Sequence, residues 1–66
     1  MSEARLVAAV EAGGTKFVLA LGRAPLDPLW TGRVETTSPD ETLARVAALL
    51  REAAAPHGPI AGLGLA

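Results

Sequence analysis

The chain of 66 residues contains no cysteine, so neither a disulfide framework nor a thiolate zinc site can hold it together. His57 is its only histidine, which excludes a cluster of imidazole metal ligands. An excess of one charge is missing too: six Lys and Arg stand against seven Asp and Glu, for a net charge of −1. Non-specific nucleic-acid binding needs a basic face, so nucleic acid is not an expected partner. No apolar run approaches the roughly 20 residues that cross a bilayer, and no membrane partner is expected. The first apolar run, preceded by Glu3 and interrupted by Glu11 and Lys16, is a poor match to a signal peptide. These absences together predict a soluble, cytoplasmic chain. A chain this short buries only about 60% of the surface that its unfolded form exposes. Small domains that lack a disulfide or a structural metal often lean on a partner.

What the chain does have is Glu11-Ala12-Gly13-Gly14-Thr15-Lys16, set between the apolar runs 6–10 and 17–21. Two adjacent glycines let bare backbone N–H groups approach a ligand, because no Cβ stands in the way. Backbone turned in this manner forms an anion nest, and phosphate is its common guest. Thr15 adds a hydroxyl, Lys16 a positive charge, and Glu11 a carboxylate able to hold a hydrated magnesium ion. The same six residues also read as an ordinary hairpin turn followed by a solvated strand start. Both readings stand on the residues alone. A P-loop is excluded, because strand residues rather than a helix follow Lys16, and the dinucleotide fingerprint fails for the same reason.

Along the chain, residues 5–11 and 16–22 read as strands, antiparallel across the glycine turn. Gly22, Pro25, Asp27 and Pro28 predict a turn over 22–28. Residues 29–36 read as a third strand of mixed polarity, with Trp30, Gly32, Val34 and Thr36 on one side, which suits a sheet edge. Ser38 is the candidate N-cap of a helix, Pro39 its first residue and Glu41 the reciprocal partner of a capping box. Leu43, Val46, Ala47, Leu50 and Ala54 recur at helical spacing as one apolar stripe. Glu41 and Arg45 form an i,i+4 pair off that stripe, and Pro56, Gly58 and Pro59 end the helix. Residues 60–66 read as a fourth strand, returning parallel beside the first through a right-handed crossover. The expected fold class is therefore α/β, with three antiparallel strands and a helix crossover to a parallel fourth (βββαβ).

Strands one, two and four lack a polar face, and such strands usually lie in sheets covered on both sides. One helix covers one side. The other would be a bare apolar patch that calls for a partner, and the apolar run is still in progress at Ala66. The expectation is a piece of something larger, or a chain that forms a homodimer or otherwise self-associates through its uncovered sheet face.

Three segments at this spacing resemble the N-terminus of sugar kinases of the ROK family (repressors, open reading frames, kinases), fructokinase branch. They are Glu-Ala-Gly-Gly-Thr-Lys-Phe at 11–17, Thr-Thr-Ser-Pro-Asp-Glu-Thr-Leu at 36–43 and Ile-Ala-Gly-Leu-Gly-Leu-Ala at 60–66. The resemblance implies an actin-like (ribonuclease-H-like) ATPase fold, with residues 1–66 as an incomplete N-terminal lobe. It implies that Gly13, Gly14, Thr15 and Lys16 form a first phosphate loop around ATP, and that Glu11 orients Mg2+ through water. Glu11 stands where many members of the family have aspartate. The implied substrate is a hexose, fructose before mannose or glucose. The family's catalytic aspartate, its zinc-binding His/Cys cluster (Zn2+), its second phosphate loop and its adenosine pocket lie further downstream, so the resemblance assigns no catalytic residue to this chain and implies that it is inactive alone. Repressors of the family carry a helix-turn-helix ahead of the glycine loop, and only ten residues precede Glu11 here.

Outside the loop, ordinary structural roles account for the remaining candidates. Asp40 and Glu41 are explained by helix capping, and Thr36 and Thr37 by strand propensity and the approach to Ser38. His57 is expected in an exposed loop and Trp30 in packing at the sheet edge. Gly62 and Gly64 are expected where another element approaches the fourth strand closely.

Overall fold

The computed structural model of the chain describes residues 5–23 and 27–65. Leu6–Ala12 (β1) and Lys16–Arg23 (β2) pair antiparallel across the glycine turn, Ala12 opposite Phe17 and Leu6 opposite Arg23. Asp27–Glu35 (β3) adds antiparallel to β2, and Gly62–Leu65 (β4) pairs parallel with β1. The sheet order is β3-β2-β1-β4, with the helix Pro39–Ala54 (α1) between β3 and β4 in the chain. The protein is thus a small α/β domain with a mixed four-stranded sheet, and β3 lies at an edge as its polarity predicted.

Of the turn expected over 22–28, Gly22 lies in β2, which runs on to Arg23, and Asp27 and Pro28 open β3, while Pro25 lies outside the described residues. Pairing continues because the register shifts by one: Leu21 faces Trp30 while Gly22 faces Pro28, so Leu29 is the extra residue of a bulge. Pro28 is tolerated near the start of an edge strand, where a missing N–H breaks no interior ladder.

Residues opposite one another on neighbouring strands share a face of the sheet. Leu6, Ala8 and Val10 of β1, Leu19 and Leu21 of β2 and Val34 of β3 therefore face one way, and all six are buried. They meet Val46, Leu50 and Ala54 of α1 to form the core, and the helix lies over β2 and β3. Trp30 packs half-buried at the edge of this core. Its indole folds over Gly32, where a Cβ would stand 2.5 Å from the ring; a glycine is needed there for close approach.

The helix begins as the sequence indicates. Ser38 Oγ accepts the Glu41 N–H at 3.3 Å and Pro39 opens the first turn. The reciprocal arm differs from a capping box: Glu41 Oε1 receives the Ser38 hydroxyl at 3.3 Å rather than the Ser38 backbone N–H. The buried stripe is also rotated from the one expected. It runs Thr42, Val46, Leu50, Ala54, while Leu43 is 58% exposed and Ala47 is exposed. A hydroxyl explains the rotation. Thr42 Oγ1 accepts the Thr37 N–H at 2.9 Å, which ties the chain entering the helix to the helix's own first turn and leaves Thr42 only 1% exposed. Thr42→Val keeps the shape but orphans the Thr37 N–H, and is expected to cost about 1–3 kcal/mol. In a chain of this size that lowers the melting temperature by about 4–8 °C per kcal/mol. Melting followed by circular dichroism checks this, with Thr42→Ser as the variant that keeps the bond; equal melting of the valine variant and the parent would show that the hydroxyl holds nothing.

Helix α1 ends at Ala54, before Pro56, and Gly58 reverses the chain with φ +105°. Gly58 and His57 both donate backbone N–H to the Ala54 carbonyl, at 3.0 and 2.8 Å. His57 is half-buried rather than exposed, and its carbonyl accepts from Arg23 Nη2 at 3.0 Å, which anchors this turn to the end of β2.

Away from the helix, the central part of the sheet presents Val7, Ala9, Val18 and Ala20 together with Gly62 and Gly64. No described residue covers this face, and Val18 is 37% exposed. On the helix side, Leu63 and Leu65 of β4 remain 60% and 78% exposed.

Candidate glycine-loop site

The hairpin register brings Gly13 and Lys16 together, and the Gly13 N–H donates to the Lys16 carbonyl at 3.0 Å. The loop between them is Gly14-Thr15. Primed two-residue turns need positive φ. Neither Gly13 nor Gly14 has a positive φ, so the loop is not a primed turn. Its shape is held instead from β3. Just after that strand, Thr36 donates its N–H to the Thr15 carbonyl at 3.0 Å and its hydroxyl to the Gly13 carbonyl at 3.2 Å. In the sequence, Thr36 is explained by strand propensity and the approach to Ser38, ahead of a place near a sugar cleft. No spacing rule could have found this role, because the contact spans 23 residues.

The two glycines differ in what they are for. A Cβ on Gly13 would stand 2.9 Å from the Lys16 carbonyl oxygen, so that position has room only for glycine as the hairpin stands. A Cβ on Gly14 would meet nothing within 4 Å, and its φ suits any residue. The fold therefore gives no reason for glycine at position 14, whereas an approaching ligand would. Among the described residues, the Gly14 and Thr15 N–H groups have no hydrogen-bond acceptor. Gly13, Gly14, Thr15 and Lys16 are all exposed.

Two hollows flank this loop. One, about 580 Å³, lies on the open sheet face and is lined by Glu11, Ala9, Val18, Ala20 and Gly64. The other, about 810 Å³, lies between the end of β3 and α1, and receives Thr15, Lys16, Arg33, Glu35, Arg45 and Glu52. Glu11 and Lys16 thus line different hollows, and Lys16 sits opposite Glu35 across the β2–β3 pair. Glu11 lies at the carboxyl end of β1, next to the carboxyl end of its parallel neighbour β4, where Val10 faces Leu65. In open α/β sheets, ligands favour the crevice at the carboxyl ends of parallel strands.

No group of three or more His, Asp or Glu residues able to hold a metal ion occurs among the described residues. Glu11 is a single exposed carboxylate. That suits magnesium, which keeps several of its waters and binds through one or two carboxylates plus phosphate oxygens. No helix among the described residues is long and apolar enough to cross a membrane. In comparisons with known proteins, the chain matches no family model and no curated protein.

Proposed function

We propose that this chain is the phosphate-loop part of the N-terminal lobe of an ATP-dependent hexose kinase of the ROK family, with fructose the favoured substrate. The observation that carries this reading is Gly14: a glycine the fold does not require, in an exposed loop where, among the described residues, the Gly14 and Thr15 N–H groups have no hydrogen-bond acceptor. In this reading the Gly14 and Thr15 amides and the Thr15 hydroxyl receive phosphate oxygens, and Lys16 offsets their charge. Glu11 would hold Mg2+ through water, which would neutralise phosphate charge. The actin-like ATPase architecture, with a sugar pocket, a catalytic base and an adenosine pocket contributed by other segments, belongs to the same proposal. So does a cytoplasmic location.

Phosphoryl transfer rests on positioning and charge stabilisation around both nucleophile and leaving group. A phosphate loop alone supplies only part of that, so the 66-residue chain is expected to bind Mg·ATP and turn over none with fructose. Amide chemical shifts followed during a Mg·ATP titration test the reading. Shifts centred on Gly13 to Lys16, with no ADP formed, are expected. Shifts confined to other residues, or none up to the solubility limit of ATP, would overturn it.

A second reading is favoured by one observation, the face of Val7, Ala9, Val18 and Ala20, which no described residue covers and on which Ala9 and Val18 are exposed. Here the chain is a non-enzymatic module that self-associates through that face. A monomer at every concentration in sedimentation would exclude it.

A further inference from the structure

Among the described residues, Thr36 alone outside the hairpin holds both loop carbonyls, Gly13 through its hydroxyl at 3.2 Å and Thr15 through its backbone N–H at 3.0 Å. A peptide group is planar and trans, so its N–H points opposite to its C=O. A bond that fixes the Gly13 carbonyl towards Thr36 therefore aims the Gly14 N–H away from Thr36, and the bond to the Thr15 carbonyl does the same for the Lys16 N–H. Carbonyl oxygens repel anions, whereas N–H dipoles fixed in advance attract them without reorganising on binding. We propose that Thr36 is the positioning residue of the glycine loop, turning its carbonyls inward and aiming the Gly14 amide at a polyphosphate. This inference rests on the phosphate-loop reading above. It adds to that reading that the direction of the Gly14 donor is set by a hydroxyl 23 residues downstream, and that the Gly13–Gly14 and Thr15–Lys16 peptide planes are held by different atoms of Thr36.

That division makes the inference testable residue by residue. Thr36→Val removes the hydroxyl and keeps the backbone N–H, so it should free the Gly14 peptide plane and leave the Lys16 plane held. Backbone 15N relaxation of the 66-residue chain should then show a lower order parameter at Gly14, an unchanged one at Lys16 and unchanged melting. Thr36→Ser should restore Gly14. In titrations with inorganic triphosphate, the valine variant should bind about three- to tenfold more weakly than the parent, as expected for the loss of one neutral hydrogen bond, and the serine variant should recover. If the parent binds triphosphate and the valine variant binds equally well, the inference fails while the phosphate-loop reading stands. If Gly14 is as ordered in the valine variant as in the parent, the inference fails whatever binds. A parent that binds no triphosphate removes the reading of the site itself.

Discussion

Replacing Leu19 by alanine is expected to lower the melting temperature by about 10–40 °C. Leu19 is 0% exposed at the middle of β2, with Val10 opposite on one side and Gly32 on the other. Gly32 has no side chain to move into a cavity, and its Cα is already capped by the Trp30 indole. Collapse around a missing isobutyl group is thus limited, and Leu→Ala in such a core costs about 2–5 kcal/mol. A chain of this length has roughly 3–10 kcal/mol of stability in all, and each kcal/mol moves its melting point by about 4–8 °C. Val18→Ala is the matched control. Val18 precedes Leu19 in the chain but points to the open face and is 37% exposed, so its truncation should be nearly silent. Thermal melts of the two variants decide the matter: equal losses, or a small loss at Leu19, would mean that this sheet is not held by its helix-side face.

The second large effect is a division of labour between adjacent glycines. Gly13→Ala drives a methyl to 2.9 Å from the Lys16 carbonyl oxygen, which the backbone itself has to relieve. The Gly13 N–H···O=C Lys16 bond that closes the hairpin is in the way. A destabilisation of about 1–3 kcal/mol is expected, as for other overpacked sites. Gly14→Ala meets no atom and needs no positive φ, so it should hold or raise stability by about 0.4–1 kcal/mol through the unfolded state. Its methyl nevertheless stands where, in the phosphate-loop reading, a phosphate would approach, and triphosphate affinity should drop about ten- to a hundredfold, the worth of one charge-assisted hydrogen bond. Melting curves and triphosphate titrations of both variants separate the two roles. A Gly14→Ala chain that binds as the parent does would reduce the loop to a plain hairpin turn.

Much of this protein is legible in its sequence because the signals are local. The apolar runs on either side of Gly13-Gly14 define β1 and β2, and Ser38-Pro39 with Asp40 and Glu41 announces the start of α1. These signals act over a few residues through capping, turn chemistry and the alternation of the strand pleat. The sheet order also follows, since a parallel return through a helix brings β4 beside β1. The candidate loop was visible too, as a run of residue types suited to phosphate.

Only the tertiary structure decided which atoms serve the loop and which residues serve the core. The glycine pair carries no sign in the sequence that Gly13 is required by a backbone contact and Gly14 is not. The bonds of Thr36 to Gly13 and Thr15 exist because β3 lies beside β2, a pairing that joins residues distant in the chain. Thr42 took the place of Leu43 in the buried stripe because its hydroxyl completes the turn at Thr37, and a periodicity of apolar residues cannot register a polar one that earns its burial through a hydrogen bond. Local chemistry determines the elements of this chain, and long-range pairing determines what each side chain in them does, because a hydrogen bond or a close contact depends on where two strands meet in space and not on their separation in sequence.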